Sequence, residues 1–213
     1  MLYLVKTPWW LKRLYPRCIW DIPVKDKIIY LTFDDGPHPE ITPFVLDTLE
    51  QYQARATFFC IGKNVQAHPD VYQEILLRGH RTGNHTFNHL NGWKTDDAKY
   101  IRNITEAADY IDSDLFRPPY GRISKLQARL LSDPPATAGS KAFSIIMWTV
   151  LSGDFDTSLS ADKCTVNVIV NTQPGSIVVF HDSTKAFPRM QTALPKTLQY
   201  FSARGYRFES IQL

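Results

Sequence analysis

Cysteine is scarce in this chain: three in 213 residues, Cys18, Cys60 and Cys164, an odd count with no Cys-x-x-Cys spacing. That argues against a disulfide framework and a cysteine-based zinc knuckle, and fits a reducing compartment. No apolar stretch approaches the ~20 residues that a transmembrane helix needs, so no membrane span is expected. The net charge of +3 is small and comes with no long Lys/Arg run, which argues against nucleic acid as a partner. Low-complexity tracts are absent too. What is present, 44% hydrophobic and 21% charged residues, is ordinary for a soluble globular protein of one large domain.

The first twenty residues lack the unbroken apolar core of a signal peptide, because Lys6, Lys12, Arg13 and Arg17 interrupt them and no small-residue cleavage site follows. Thr7-Pro8 reads instead as an N-cap followed by proline at the first helical position, opening a short helix that Pro16 stops. Trp9, Trp10, Leu11, Leu14 and Tyr15 beside those cations would also suit peripheral membrane contact through residues 7–20, but packing of Leu11, Leu14 and Ile19 against the main domain is the favoured reading. The expected organisation is an N-terminal segment, 1–26, and a catalytic domain, 27–213, in a cytoplasmic protein.

Apolar β-branched runs predict strands at 27–33, 56–61, 115–117, 144–150, 176–180 and 206–208. Between them, helices are predicted from Thr42-Pro43, from His68-Pro69 to a stop at Gly79, from Thr95, over 124–131, from Ser160 to Asn171, and from Pro195 to Gly205. Residues 132–141 have loop composition. Alternation of strand and helix implies parallel pairing through right-handed crossovers. Polar residues follow the strands, and in parallel α/β folds the C-terminal strand ends share one face, where active sites lie.

Those residues carry chemistry. Asp34 and Asp35 end an apolar run in Thr32-Phe-Asp-Asp-Gly-Pro37, and a metal would relieve the repulsion between the two carboxylates. His85 and His89, four apart, can share one face of a turn or compact loop. With Asp35 they form a two-histidine, one-carboxylate set with open positions for water and substrate, while Asp34 stays free to take a proton. Arg117, held by two prolines in Arg117-Pro-Pro-Tyr-Gly121, could orient and ionise Asp34. The Tyr120-Gly121 turn leaves backbone N–H groups for an oxyanion. His181 follows a buried strand, as a general acid would, and Asp154 could orient and charge it.

Taken in order, Thr32–Pro37, His85-Thr-Phe-Asn-His89, Arg117-Pro-Pro-Tyr120 and Val179-Phe-His181 resemble the successive motifs of the polysaccharide deacetylase family with the NodB homology domain, carbohydrate esterase family four. The resemblance covers residues 27–213. It implies an α/β fold, a distorted (β/α) barrel with about seven parallel strands. It also implies that Asp35, His85 and His89 bind a divalent metal, zinc foremost, with cobalt, nickel and manganese as alternatives. Asp34 would be the base, Arg117 its orienting partner, the Tyr120 N–H an oxyanion donor and His181 the acid. Phe155 stands where the family often has a groove-lining tryptophan, and Val179 where it has leucine. The expected activity is metal-dependent removal of N-acetyl groups from an amino-sugar substrate, such as a chitooligosaccharide or peptidoglycan, releasing acetate. An O-acetyl esterase or small-amide hydrolase on the same metal is the nearer alternative, and an inactive carbohydrate-binding protein the farther one.

Overall fold

The computed structural model describes residues 3–134 and 141–213. Most of the loop predicted at 132–141 therefore lies outside the described residues. In chain order the elements are α1 (Trp9–Leu14), β1 (Cys18–Ile19), β2 (Ile28–Asp34), α2 (Ile41–Glu50), β3 (Ala56–Cys60), α3 (Gly62–Ala67), α4 (Pro69–Leu77), β4 (Arg81–Asn84), α5 (Asp97–Ala108), β5 (Leu115–Phe116), α6 (Lys125–Ser132), β6 (Ser144–Ile146), β7 (Val150–Leu151), α7 (Ala161–Asn171), β8 (Ile177–His181), α8 (Phe187–Ser202) and β9 (Arg207–Phe208).

The strands form one parallel sheet in the order β1-β6-β5-β4-β3-β2-β8-β7, with β9 pairing the start of β2. β6 and β7 lie six strand spacings apart along this path, roughly 29 Å in a flat sheet. Yet only Met147–Thr149 separates them in the chain, a link that reaches no more than roughly 14 Å. The sheet therefore curls until its two edges face each other, giving an incomplete barrel with helices outside. At its centre β2, β3 and β8 are buried on both faces, and the Phe33 ring stacks on Phe58 at 5.0 Å and on Phe180 at 6.1 Å.

The N-terminal segment spans the remaining seam. On one side Lys6 bridges Val150 in antiparallel fashion, the Thr7 N–H donates to the Thr149 carbonyl at 2.9 Å and the Leu151 N–H to the Val5 carbonyl at 2.8 Å. On the other side β1 pairs with β6. Helix α1 lies between these anchors as a strap.

The structure corrects several expectations. Thr7 does not cap α1; its hydroxyl donates to the Trp148 carbonyl at 2.7 Å, and Pro8 occupies the cap position. Leu14 is not buried but half exposed, because it faces a cavity rather than the core. The strand expected over 144–150 divides into β6 and β7, since the chain crosses between sheet edges there. Pro195 lies inside α8, which begins a full two turns earlier at Phe187. Asp96, not Thr95, caps α5 by accepting the Lys99 N–H. The strands β1 and β4 and the helix α3 were not expected; β4, Arg-Thr-Gly-Asn, has no apolar pattern to reveal it.

Candidate active site

Register brings the site together before any side chain is considered. Asp34, at the end of β2, lies directly across from His181 at the end of β8. Asn84, at the end of β4, pairs with Phe116, so His85 and Arg117 leave neighbouring strands side by side. Asp154 follows β7 by three residues.

Asp35 leaves the strand with a left-handed backbone, φ 83°, which breaks the alternation of the strand, and both it and Asp34 line the same cavity. His85 and His89 sit in a compact loop, not a helix, with Thr86 at φ 65° and His89 at φ 55°. Asp35 Oδ1 lies 3.2 Å from His89 Nε2 and 3.8 Å from His85 Nε2, and the three ligand atoms fall within 4.8 Å of one another. The His85 Nδ1 is hydrogen-bonded to the Arg117 carbonyl at 2.7 Å, which fixes the proton there and leaves Nε2 as a lone-pair donor. Burial pushes the His85 imidazole down to about 4, so it is neutral at pH 7. Burial alone would raise Asp35, but the His89 hydrogen bond and the nearby imidazoles override it and hold the carboxylate well below its usual range. A carboxylate and two imidazole nitrogens, converging with an open side, fit a divalent cation. The Asn64 amide braces the site from behind, donating to the Asp35 carbonyl at 2.7 Å.

Arg117 is wholly buried. Its Nη1 donates at 2.7 Å to both Asp34 Oδ1 and Thr32 Oγ1, Nη2 donates to the Met147 carbonyl at 3.0 Å and Nε to the Ile146 carbonyl at 3.2 Å. The guanidinium also lies 4.0 Å from the centre of the Phe59 ring. Asp34 is buried and, among the described residues, is bonded through Oδ1 alone, which leaves Oδ2 to face the cavity.

Asp154, with no exposed surface, accepts from the His181 N–H and pairs with the His181 ring at Nδ1, both at 2.8 Å. Burial opposes the charged imidazolium, but the Asp154 charge and hydrogen bond, with Asp35 and Asp34 behind them, lift it to about 10. Phe155 meets His181 edge-on at 5.2 Å and packs, tilted, against the Tyr3 ring at 5.0 Å. Tyr120 adopts a left-handed turn, φ 61°, with its ring 4.6 Å from His89.

All nine predicted residues thus meet at one end of the barrel. Sequence reasoning missed their supports. Asp182 accepts from the Gly36 N–H at 3.0 Å and the Thr42 hydroxyl at 2.5 Å, and its own N–H donates to the Asp34 carbonyl at 3.1 Å, so it fixes the Asp34-Asp35-Gly36 turn. A Cβ on Gly36 would fall on that carboxylate. Arg189 donates through Nε to the Asp154 carbonyl at 2.6 Å. The acid immediately after His181 was a readable signal; Arg189, inside an amphipathic helix, was not.

The comparisons with known proteins agree with this geometry. The family model described as polysaccharide deacetylase matches residues 21–138. A peptidoglycan-N-acetylglucosamine deacetylase of Bacillus cereus is 36% identical over 198 residues, covering 90% of this chain and 90% of that protein. A chitooligosaccharide deacetylase of Bradyrhizobium sp. is 30% identical over 201 residues, covering 86% of this chain and 88% of that protein. The crystal structure of the Bc1960 peptidoglycan N-acetylglucosamine deacetylase superposes with a TM-score of 0.81 at 32% identity, over 90% of this chain and 89% of that one. With over half of the chain matched by the family model and such relatives aligned along nearly all of it, this chain belongs to the polysaccharide deacetylase family.

Proposed function

We propose that the protein is a metal-dependent hydrolase that removes N-acetyl groups from amino-sugar residues of an oligo- or polysaccharide, leaving a free amine and acetate. The observation that carries this reading is that Asp34 and His181, register partners at the ends of β2 and β8, line one cavity with the Asp35, His85 and His89 set. A base and an acid flanking a cation site are what amide hydrolysis requires.

Asp35, His85 and His89 would hold the cation, and two imidazoles with one carboxylate suit zinc. When bound there, a divalent cation supplies Lewis-acid polarisation of the acetyl carbonyl and acidifies water. Asp34 takes a proton from the attacking water through Oδ2, while Arg117 holds it aimed through Oδ1. The water oxygen bonds to the acetyl carbon, and the Tyr120 N–H serves the developing oxyanion. His181 gives its proton to the departing nitrogen as the C–N bond breaks, and Asp154 holds the ring for that transfer. Asp34 must be ionised and His181 protonated at once, so activity falls on both sides of an optimum. A cation beside His181 disfavours the imidazolium, which moves the alkaline limb below about 10. Residues 27–213 form the catalytic unit, and the N-terminal segment, described from residue 3, serves it as the strap.

The reading is tested by measuring free amine and acetate from zinc-loaded protein on N-acetylated oligosaccharides, peptidoglycan fragments and O-acetylated sugars. Stoichiometric amine and acetate from the N-acetyl substrates supports it. Turnover of the O-acetyl sugars alone would make the protein an esterase.

A further inference from the structure

The cavity that holds the catalytic residues encloses about 860 Å³, toward the upper end of the roughly 300–1,000 Å³ typical of sites that enclose a drug-sized ligand. Its lining is of two kinds. Asp34, Asp35, His85, His89 and His181 share it with an apolar wall that includes Leu11, Leu14, Tyr15, Ile123, Met147 and Trp148. Leu11 and Leu14 come from α1, outside the span that the family model matches. The strap therefore adds a hydrocarbon wall to the reaction centre. Leu14 is 50% exposed and Trp93 and Tyr120 at the rim are 55% and 54% exposed, a concentration of uncovered apolar surface that soluble proteins rarely leave without an occupant.

A run of sugars needs hydrogen-bond partners for its hydroxyls once water is displaced. Leu11, Leu14, Ile123 and Met147 offer none, the hydroxyl of the neighbouring Thr7 is already committed to the Trp148 carbonyl, and Tyr15, Trp148 and Arg122 add only isolated polar groups to this mainly apolar wall. The occupant must also connect to a scissile amide at Asp35, His85 and His89, because all of these residues line one cavity. Resting on the deacetylase reading above, we propose that the apolar wall under the strap is a subsite for a hydrocarbon group carried by the substrate. The preferred substrate is then an amphiphilic amino sugar, with several carbons of an acyl or alkyl chain seated against Leu11 and Met147. That chain could be attached to the nitrogen or to the anomeric oxygen; the chemistry of the subsite is the same.

The test uses the full chain loaded with zinc and four soluble probes below their micellar concentrations. Two are the methyl and octyl β-glycosides of diacetylchitobiose; two are methyl chitobiosides bearing N-acetyl or N-octanoyl groups. Burying one methylene is worth about fourfold in affinity, so two or more buried carbons predict at least tenfold higher kcat/KM for the octyl or the octanoyl probe. The arm that responds identifies the attachment point. Leu11→Gln should bring that ratio close to one, and a ratio is unaffected by the fraction of protein that folds. Binding is read separately from turnover by the saturable change in tryptophan fluorescence on adding octyl against methyl glycoside. Ratios within twofold in the parent, or an unchanged ratio in Leu11→Gln, overturn the subsite while turnover of the methyl glycosides preserves the deacetylase reading. Tenfold tighter binding of the octyl glycoside without turnover of any probe would keep the subsite and remove that reading.

Discussion

Asp34 and Asp35 are adjacent in the chain and line one cavity, and their different partners give them different work. Asp34 faces Arg117, and Asp35 faces the two imidazoles. Asp34→Asn keeps the shape and the Arg117 contact but cannot take a proton, so turnover should fall ~10²–10⁴-fold with metal retained; a variant near the parental rate in a steady-state assay would remove Asp34 from the chemistry. His181→Ala should slow amide substrates far more than an activated ester, whose leaving group departs without a proton. Parallel losses on both would make His181 a structural residue. This set was legible in the sequence because each residue sits at a strand end in a motif whose chemistry is redundant. Asp182, next to His181, left a signal that the reading passed over; Arg189 left none, because its partner is a backbone carbonyl of Asp154 that only the fold brings near.

Among the elements, the apolar runs were read correctly where burial on both faces makes them continuous, as in β2, β3 and β8. They misled where the chain changes sheet edge. Ser144–Val150 looks like one strand, but Met147–Thr149 carries it across the seam, and the Ile146 and Met147 carbonyls where it leaves β6 accept from Arg117. Helix signals were sound where a side chain closes the first turn. Ser124 and Gln127 form a reciprocal capping box at α6. Ser124→Ala should cost about 1 kcal/mol in a urea titration, and an unchanged midpoint would mean that α6 draws its stability from packing alone.

For the molecule as a whole, curling is forced by connectivity, and pairing order is something no periodicity reports; a parallel α/β fold was readable from pattern and the distorted barrel from the family resemblance, but its closure by the N-terminal segment was not. Stability should carry a pH signature from a group far from the reaction. His80 is buried, and its Nδ1 accepts the Ala56 N–H at 3.2 Å. Burial, with help from Arg55 and Arg78, pushes it down from 6.5 to about 4. The unfolded chain therefore takes the proton first, so this contribution is complete above 6.5 and is lost as pH falls toward 4. Relative to His80→Gln, the parent should lose up to ~3 kcal/mol over that window in denaturant titrations. A constant difference between the two proteins would show that His80 is not held neutral.

The central claim is that Asp35, His85 and His89 hold the cation on which deacetylation depends. Its most direct test is acetate release from an N-acetylated oligosaccharide by chelator-stripped protein to which zinc is returned in equal molar amount, with His89→Ala treated alongside. The account predicts that stripping abolishes release, that zinc restores it in the parent, and that the variant neither holds the zinc nor recovers. Undiminished release by the stripped parent, or full recovery by His89→Ala, would contradict it.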